Sequence, residues 1–164
     1  MSDKVYNVLF VCTHNSARSI MAEGILNSLG RGRFRAFSAG SHAGSSVNAL
    51  ALKTLSALHI PTDSFRSKGW DEFARPGAPE LDFVFTVCDK AAGEVCPVWP
   101  GQPMTAHWGV ADPAAFDGTE PQKAKVFWDT AVVLKRRIEL MLALPLASLD
   151  KMAIQREIKD IGTR

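Results

Sequence analysis

The stretch VLFVCTHNSARS, residues 8–19, decides the fold of this chain. Residues 8–11 form an apolar run typical of a strand buried on both faces, and residues 17–29 carry apolar side chains at helical spacing. The segment between them is therefore a turn from a strand into a helix, which Cys12 opens and Arg18 closes. A strand that leads directly into a helix indicates an α/β protein with a parallel sheet.

The turn has the size and position of an anion-binding loop. Its backbone N–H groups can converge at the start of a helix, where amide dipoles, the helix dipole and the forked guanidinium of Arg18 would hold an oxyanion of phosphate size. Asn15 can pin the tight turn, and the hydroxyls of Ser16 and Ser19 can bond the loop or a thiolate. The predicted oxyanion-binding residues are Thr13, His14, Asn15, Ser16, Ala17, Arg18 and Ser19.

Cys12 would lie beneath an anion bound in this loop. The positive field that holds the anion also stabilises a thiolate, so we expect the pKa of Cys12 to fall well below its usual value of about 8.5. The loop then combines a nucleophile with a site for a tetrahedral anion.

The octapeptide CTHNSARS, residues 12–19, resembles the anion loop of the low-molecular-weight tyrosine phosphatase fold, which the thioredoxin-coupled arsenate reductases share. The resemblance implies a doubly wound α/β fold and a nucleophilic Cys12. It leaves open which of the two activities the chain carries.

Length and composition limit the classes of function. The 164 residues are enough for a single domain, 1–164, that needs no bound cofactor to fold. A net charge of +2 with 22% charged residues argues against a nucleic-acid partner. The polar start and the lack of a long apolar run predict a cytoplasmic protein with no membrane contact. Three cysteines in a reducing compartment favour thiol chemistry over structural disulfides.

The remaining periodicity predicts the rest of the architecture. Predicted strands cover residues 4–11, 34–38, 81–88 and 105–108, and predicted helices cover residues 17–29, 47–58, 70–73, 120–144 and 149–161. The first and third strands are the most apolar, which places them at the centre. With right-handed crossovers this gives a three-layer, doubly wound, four-stranded parallel sheet in the order 2-1-3-4, with helices on both faces.

The candidate reactive residues of the chain all lie at the carboxyl edge of this sheet. Cys12 and Cys88 end the two central strands, and Cys96 and Asp112 belong to loops that leave the same edge. Cysteines can be bridged when their Cα atoms come within about 7 Å, so Cys12 with Cys88 and Cys88 with Cys96 are both possible pairs. An enzyme that discharges a thiol adduct needs a second thiol, whereas a phosphatase gains nothing from one.

A second resemblance covers this edge. The stretch CDKAAGEVCPVWPG, residues 88–101, followed by HWG at 107–109 and DP at 112–113, is similar to bacterial arsenate reductases of this fold, which act in arsenic resistance. Together with SAG at 38–40 it spans most of residues 5–142. It implies that the chain reduces arsenate, with phosphate and sulfate as competing anions.

The resemblance also implies a role for each site residue. Arg18 would hold arsenate while Cys12 attacks arsenic and Asp112 protonates the departing oxygen. Cys88 would then form a disulfide with Cys12. Cys96 would next replace Cys12 in this bond, which gives a Cys88–Cys96 disulfide. Thioredoxin, a glutaredoxin or a low-molecular-weight thiol would reduce the last disulfide. We expect a monomer.

Two other functions are open. A phosphotyrosine phosphatase would use Cys12, Arg18 and Asp112 alone; the sequence ADPAAF, residues 111–116, lacks the aromatic residues that those phosphatases tend to place directly after the Asp-Pro pair. A non-catalytic oxyanion or redox sensor would use oxidation of Cys88 and Cys96 to change a partner surface.

Two further possibilities, a metal site and a functional basic cluster, are not favoured by the sequence. No metal site is expected, because the cysteines and His107 lack the short paired spacings of a zinc centre. The basic segment 66–68 is read as a solvated edge of the protein.

Overall fold

The computed structural model describes residues 4–44, 46–88, 99 and 101–164. Its strands are β1 Tyr6–Cys12, β2 Phe34–Gly40, β3 Phe83–Thr86 and β4 Met104–His107. Its α-helices are α1 Arg18–Leu29, α2 Ala49–Ala57, α3 Glu120–Leu142 and α4 Lys151–Ile161. Short 3-10 helices cover Trp70–Phe73, Pro113–Ala115 and Leu146–Ser148.

The four strands form one parallel sheet in the order β2-β1-β3-β4, which confirms the predicted fold class. In the register, Cys12 on β1 pairs with Gly40 on β2, and Val11 pairs with Thr86 on β3. The carboxyl ends of the two central strands therefore lie side by side. Cys12 and Cys88 are brought to this edge from positions far apart in the sequence.

The central strand is covered on both faces. Val8, Leu9, Phe10 and Val11 are all fully buried, although successive strand residues point to opposite sides of a sheet. Helix α1 packs against β2, α2 and α3, and α4 packs against β4 and α3. The strand that carries Cys12 is thus a rigid base for the loop that follows it.

An aromatic cluster anchors the end of β4. Trp108 is fully buried, and its ring stacks on Phe85 with centroids 3.9 Å apart. Its Nε1 donates a hydrogen bond to the carbonyl of Ile158 on α4 at 2.9 Å. Its backbone N–H donates to the carbonyl of Thr86 at 2.7 Å, so the chain leaves β4 along a fixed path.

Element boundaries differ from the predicted ones where side chains cap the helices. Helix α2 begins at Ala49 rather than 47 because the Asn48 side chain accepts from the first-turn amides. Asp150 caps α4 in the same way, so α4 begins at Lys151 rather than 149. Helix α3 ends at Leu142, two residues earlier than predicted, since a residue that precedes proline disfavours helical backbone.

The sheet boundaries shift as well. Strands β1 and β2 run further than predicted, to Cys12 and Gly40, whereas β3 pairs only over 83–86. Within the part of the chain that the structure describes, no helix has both the length and the apolar character that a bilayer crossing requires.

Candidate anion site

Residues 12–18 join β1 to α1 as a tight loop that is mostly buried. Cys12, Thr13, Asn15 and Ala17 are each less than 5% exposed, and His14 projects at the rim. Ala17 is the N-cap residue of α1 and offers no side-chain cap, so no cap side chain occupies the first-turn amides of the helix. These amides are the donors that an oxyanion would use.

The loop carbonyls are directed away from the centre of the loop. Hydrogen bonds of 2.8–3.0 Å run from the backbone amides of Ser41, His42, Gly44 and Asn48 to the carbonyls of Cys12, Thr13, His14 and Ser16 respectively. In a trans peptide the N–H points opposite to the carbonyl. The amides that follow these carbonyls are therefore turned into the loop, where they form an anion-binding concavity.

Asn15 fixes the shape of the loop. Its φ of 53° lies in the left-handed region, which asparagine tolerates better than most residues. Its Nδ2 donates to the hydroxyls of Ser19 at 2.9 Å and Ser38 at 3.0 Å, and its Oδ1 accepts from the backbone amide of Lys68 at 2.9 Å. The side chain thus joins the loop to α1, to β2 and to the segment before Trp70.

Sequence reasoning missed a buried ion pair behind the loop. The Ser38 hydroxyl donates to the Glu23 carboxylate, and the Lys68 Nζ lies 4.0 Å from Glu23 Oε1. Burial raises the pKa of Glu23 and lowers the pKa of Lys68. A carboxylate among the buried residues of α1 was the available signal, but nothing local indicates a partner 45 positions later.

The interpretation of residues 66–68 as a solvated edge is wrong for two of the three. The Lys68 side chain is only 9% exposed, and the Ser67 hydroxyl donates to the carbonyl of His14 at 3.0 Å. Arg66 alone stays at the surface, paired with Glu72 at 2.7 Å. Ser67 and Lys68 are partly buried because the hydroxyl of Ser67 and the backbone amide of Lys68 donate to groups of the anion loop.

Arg18 reaches from the loop to the segment after β4. Its Nη1 donates to the carbonyl of Val110 at 3.0 Å, and its Nη2 lies 3.8 Å from Asp112 Oδ2. The other oxygen of Asp112 accepts from the amide of Ala114 at 2.9 Å and so caps Pro113–Ala115. Asp112 therefore starts a turn before proline and also faces the arginine of the loop.

Two cysteines meet at the base of the site. Cys12 and Cys88 are both buried, and their side chains are hydrogen-bonded to each other. The Thr13 hydroxyl lies 3.3 Å from the sulfur of Cys88, with either atom able to donate.

The predicted fall in the pKa of Cys12 is wrong for this arrangement. The hydrogen bond between Cys12 and Cys88 raises the pKa of Cys12, and burial raises it further. The charge of Arg18 acts in the opposite direction but is outweighed. The sequence argument considered the loop alone, and the second sulfur comes from another strand.

The remaining predicted residues divide into two groups. His14 is exposed at the rim, where its Nδ1 lies 3.2 Å from the carbonyl of His42. Cys96 and most of the loop from 89 to 101 lie outside the described residues. Among the residues that are described, no cluster of three or more His, Cys, Asp or Glu side chains is suited to hold a metal.

The fold and the site define a doubly wound α/β protein with a cysteine beneath an anion loop. The chain belongs to the low molecular weight phosphotyrosine protein phosphatase family, whose model matches residues 7–155.

Relatives within this family include both activities. An arsenate reductase of Halalkalibacterium halodurans is 35% identical over 139 residues, which cover 85% of this chain and 95% of the relative. Among solved structures, an arsenate reductase from Archaeoglobus fulgidus has a TM-score of 0.60 at 27% identity, covering 80% of this chain and 98% of its own. A low molecular weight protein tyrosine phosphatase from T. tengcongensis has a TM-score of 0.61 at 28% identity, covering 82% and 95%. The resemblance stated from the sequence is thereby confirmed.

Proposed function

We propose that this protein reduces arsenate to arsenite with electrons from its own thiols. The observation that carries the proposal is the hydrogen-bonded contact between Cys12 and Cys88 beside the anion loop. A curated relative at 35% identity over 85% of this chain is an arsenate reductase, which supports the same activity here. A phosphate ester hydrolase of this fold has no step that would use the second sulfur.

In the proposed binding step, the inward amides of the loop and the guanidinium of Arg18 hold the arsenate dianion. Arsenate has the shape and charge of phosphate, so phosphate and sulfate should compete for the loop. To grip two oxygens of the anion, Arg18 would give up its hydrogen bond to Val110. Asp112 would then face the oxygen that leaves.

In the proposed chemical steps, the sulfur of Cys12 attacks arsenic, and the departing oxygen leaves as water after protonation by Asp112. Cys88 next attacks the sulfur of Cys12. The electron pair of the sulfur–arsenic bond goes to arsenic, which is reduced from As(V) to As(III) and leaves as arsenite. Two thiols are thereby oxidised to one Cys12–Cys88 disulfide, which balances the two electrons.

The proposed cycle closes through a thiol outside the described residues. Cys96 would attack Cys88, release Cys12 as a thiolate and form a Cys88–Cys96 disulfide. Thioredoxin, a glutaredoxin or a low-molecular-weight thiol would reduce that bond. No bound cofactor is required, and we propose that the single domain 1–164 acts as a monomer.

Tyrosine phosphatase activity is the second candidate, because the T. tengcongensis phosphatase is as similar in fold and identity as the solved reductase. Against it, the residues after the Asp112–Pro113 pair are Ala114 and Ala115, which are both exposed and too small to wall an aromatic slot. The shared loop predicts at most slow hydrolysis of aryl phosphates.

Single-turnover assays of Cys12→Ser, Cys88→Ser and Cys96→Ser test the relay. Arsenite release and protein disulfides are measured after mixing with arsenate, with and without thioredoxin. We expect no product from Cys12→Ser, a stalled thiol adduct from Cys88→Ser, and one turnover without recycling from Cys96→Ser. Full multiple turnover by Cys88→Ser would overturn the relay, and aryl phosphate hydrolysis without arsenite release would favour the phosphatase.

A further inference from the structure

Two arginines hold three consecutive carbonyls in the segment that leads from β4 to Asp112. Arg137, on α3, donates from Nη1 to the carbonyls of Trp108 at 2.8 Å and Gly109 at 3.1 Å. Arg18 donates to the next carbonyl, that of Val110, at 3.0 Å.

Arg137 is an unusual residue to find in this position. It is 7% exposed. Within the described ranges, the charged group that acts on it is Arg136, and no carboxylate forms an ion pair with Arg137. Its Nε has no hydrogen-bond partner among the described residues. A buried guanidinium without a counter-charge is costly, so stability alone is a poor reason for its presence.

The carbonyls that Arg137 bonds belong to the segment that leads from β4 to Asp112. The amide of Val110 donates to the carbonyl of Val87 at 3.1 Å, next to Cys88. Two residues after Val110, Asp112 faces Arg18, and α3 also packs against Pro113–Ala115. The segment is thus fixed by its amides to the end of β3 and to Val87 just after it, and by its carbonyls to α3 and α1.

We propose that Arg137 is a positioning residue that sets the distance of Asp112 from the anion loop by holding the carbonyls of Trp108 and Gly109. It touches no reacting atom and acts through Asp112. The inference rests on the proposed function, in which Asp112 protonates the departing oxygen. Small displacements of a catalytic group lower the rate steeply. Among the described residues, the hydrogen bonds of Arg137 go to Trp108 and Gly109 and not to the anion loop.

The test is a double-mutant cycle between Arg137→Met and Asp112→Asn. For each protein of the cycle, kcat and KM for arsenate are measured with saturating thioredoxin. Arg137→Met should lower kcat about tenfold and change KM by less than about twofold. In the Asp112→Asn background, the same change should lower kcat by less than about twofold, because the positioned group is already gone. An equal loss of kcat in both backgrounds would overturn the proposal in favour of a general structural role.

Two further variants keep the test decisive. Arg136→Met is the matched control, since Arg136 is the neighbouring arginine and donates to the carbonyl of Arg164 at the surface; it should behave as wild type. If Arg137→Met fails to fold, Arg137→Lys replaces it in the cycle, because one ammonium can still reach one carbonyl, and it is judged by the same comparison between backgrounds.

The same cycle on an aryl phosphate separates this proposal from the proposed function. If the wild-type protein hydrolyses the ester but releases no arsenite, the proposal of arsenate reduction is overturned. The aryl phosphate cycle would still decide the role of Arg137, because ester cleavage also needs a proton at the leaving oxygen. A wild-type protein inactive in both assays would overturn both.

Discussion

The hydroxyl of Thr13 lies 3.3 Å from the sulfur of Cys88, so a residue of the anion loop contacts the second thiol directly. Thr13 follows Cys12 in the sequence and is buried with it at the base of the loop. One side chain of the loop is therefore placed to act on the thiol that would resolve the adduct, while the adjacent cysteine would carry that adduct. Thr13 would therefore take part both in the loop that binds the anion and in the reaction of the second thiol.

Replacement of Thr13 by valine should slow formation of the Cys12–Cys88 disulfide. Valine keeps the volume and removes a hydrogen bond that, if it stabilises a Cys88 thiolate, is worth about 1.5–3 kcal/mol, or roughly tenfold or more in rate. Rapid chemical quench after mixing with arsenate measures the disulfide. Thr13→Ser retains the hydroxyl and should react at nearly the wild-type rate; equal rates for Thr13→Val and wild type would show that the contact is inert.

Removal of Cys88 should lower the pKa of Cys12. The hydrogen bond to Cys88 is the largest cause that raises it, and the charge of Arg18, which lowers it, remains. We compare Cys88→Ala with the intact pair, both in a Cys96→Ser background, by the pH dependence of iodoacetamide alkylation at Cys12. The midpoint of the alkylation curve should move to lower pH.

The midpoint, rather than the rate, is the quantity that decides this prediction, because a smaller side chain at 88 also changes access to the sulfur. A change in access to the sulfur multiplies the alkylation rate by the same factor at every pH and leaves the midpoint unchanged. A midpoint that stays in place or moves to higher pH would mean that burial, rather than Cys88, dominates the pKa of Cys12.

Asn15 should be separable into its backbone and side-chain roles. Asn15→Gly loses the hydrogen bonds to Ser19, Ser38 and Lys68 but keeps access to positive φ. Asn15→Ala loses the same bonds and adds the cost of a left-handed conformation, about 1–2 kcal/mol. Urea unfolding should rank wild type above the glycine variant and the glycine variant above alanine; an alanine variant as stable as glycine would contradict a strained loop.

Gly40 should tolerate no side chain, because it lies directly against the anion loop. A Cβ there would be 2.6 Å from the carbonyl oxygen of Thr13 and 3.0 Å from the amide nitrogen of Asn15, both backbone atoms. Gly40→Ala should therefore displace the loop and weaken phosphate binding, measured by calorimetry, by about tenfold or more.

Gly69 provides the matched control for this change. It pairs with Gly40 across an isolated bridge, yet a Cβ at 69 would meet no atom of the described residues within 4 Å. Gly69→Ala should bind phosphate as wild type does. If Gly40→Ala binds as tightly as Gly69→Ala, the loop is not fixed by close packing on β2.

Much of the architecture follows from local patterns in the sequence. The continuous apolar run of β1 predicts a central strand because only burial on both faces suits such a run, and Val8–Val11 are buried in this way. The apolar third strand predicts its neighbour, and the observed order β2-β1-β3-β4 agrees. Helix starts were less accurate, since Asn48 and Asp150 cap helices whose apolar pattern alone suggests earlier beginnings.

The sequence by itself determined the sheet, the loop and the cysteine at its base, because strand burial, helix period and loop length are properties of neighbouring residues. Only the tertiary structure decided the electrostatics of the site. The pKa of Cys12 depends on a sulfur 76 positions away, Lys68 is buried because it reaches Glu23, and Arg137 meets the carbonyls before Asp112 from another helix. Charge and hydrogen bonding act through space over a few ångströms, and which groups come that close is set by packing rather than by their order along the chain.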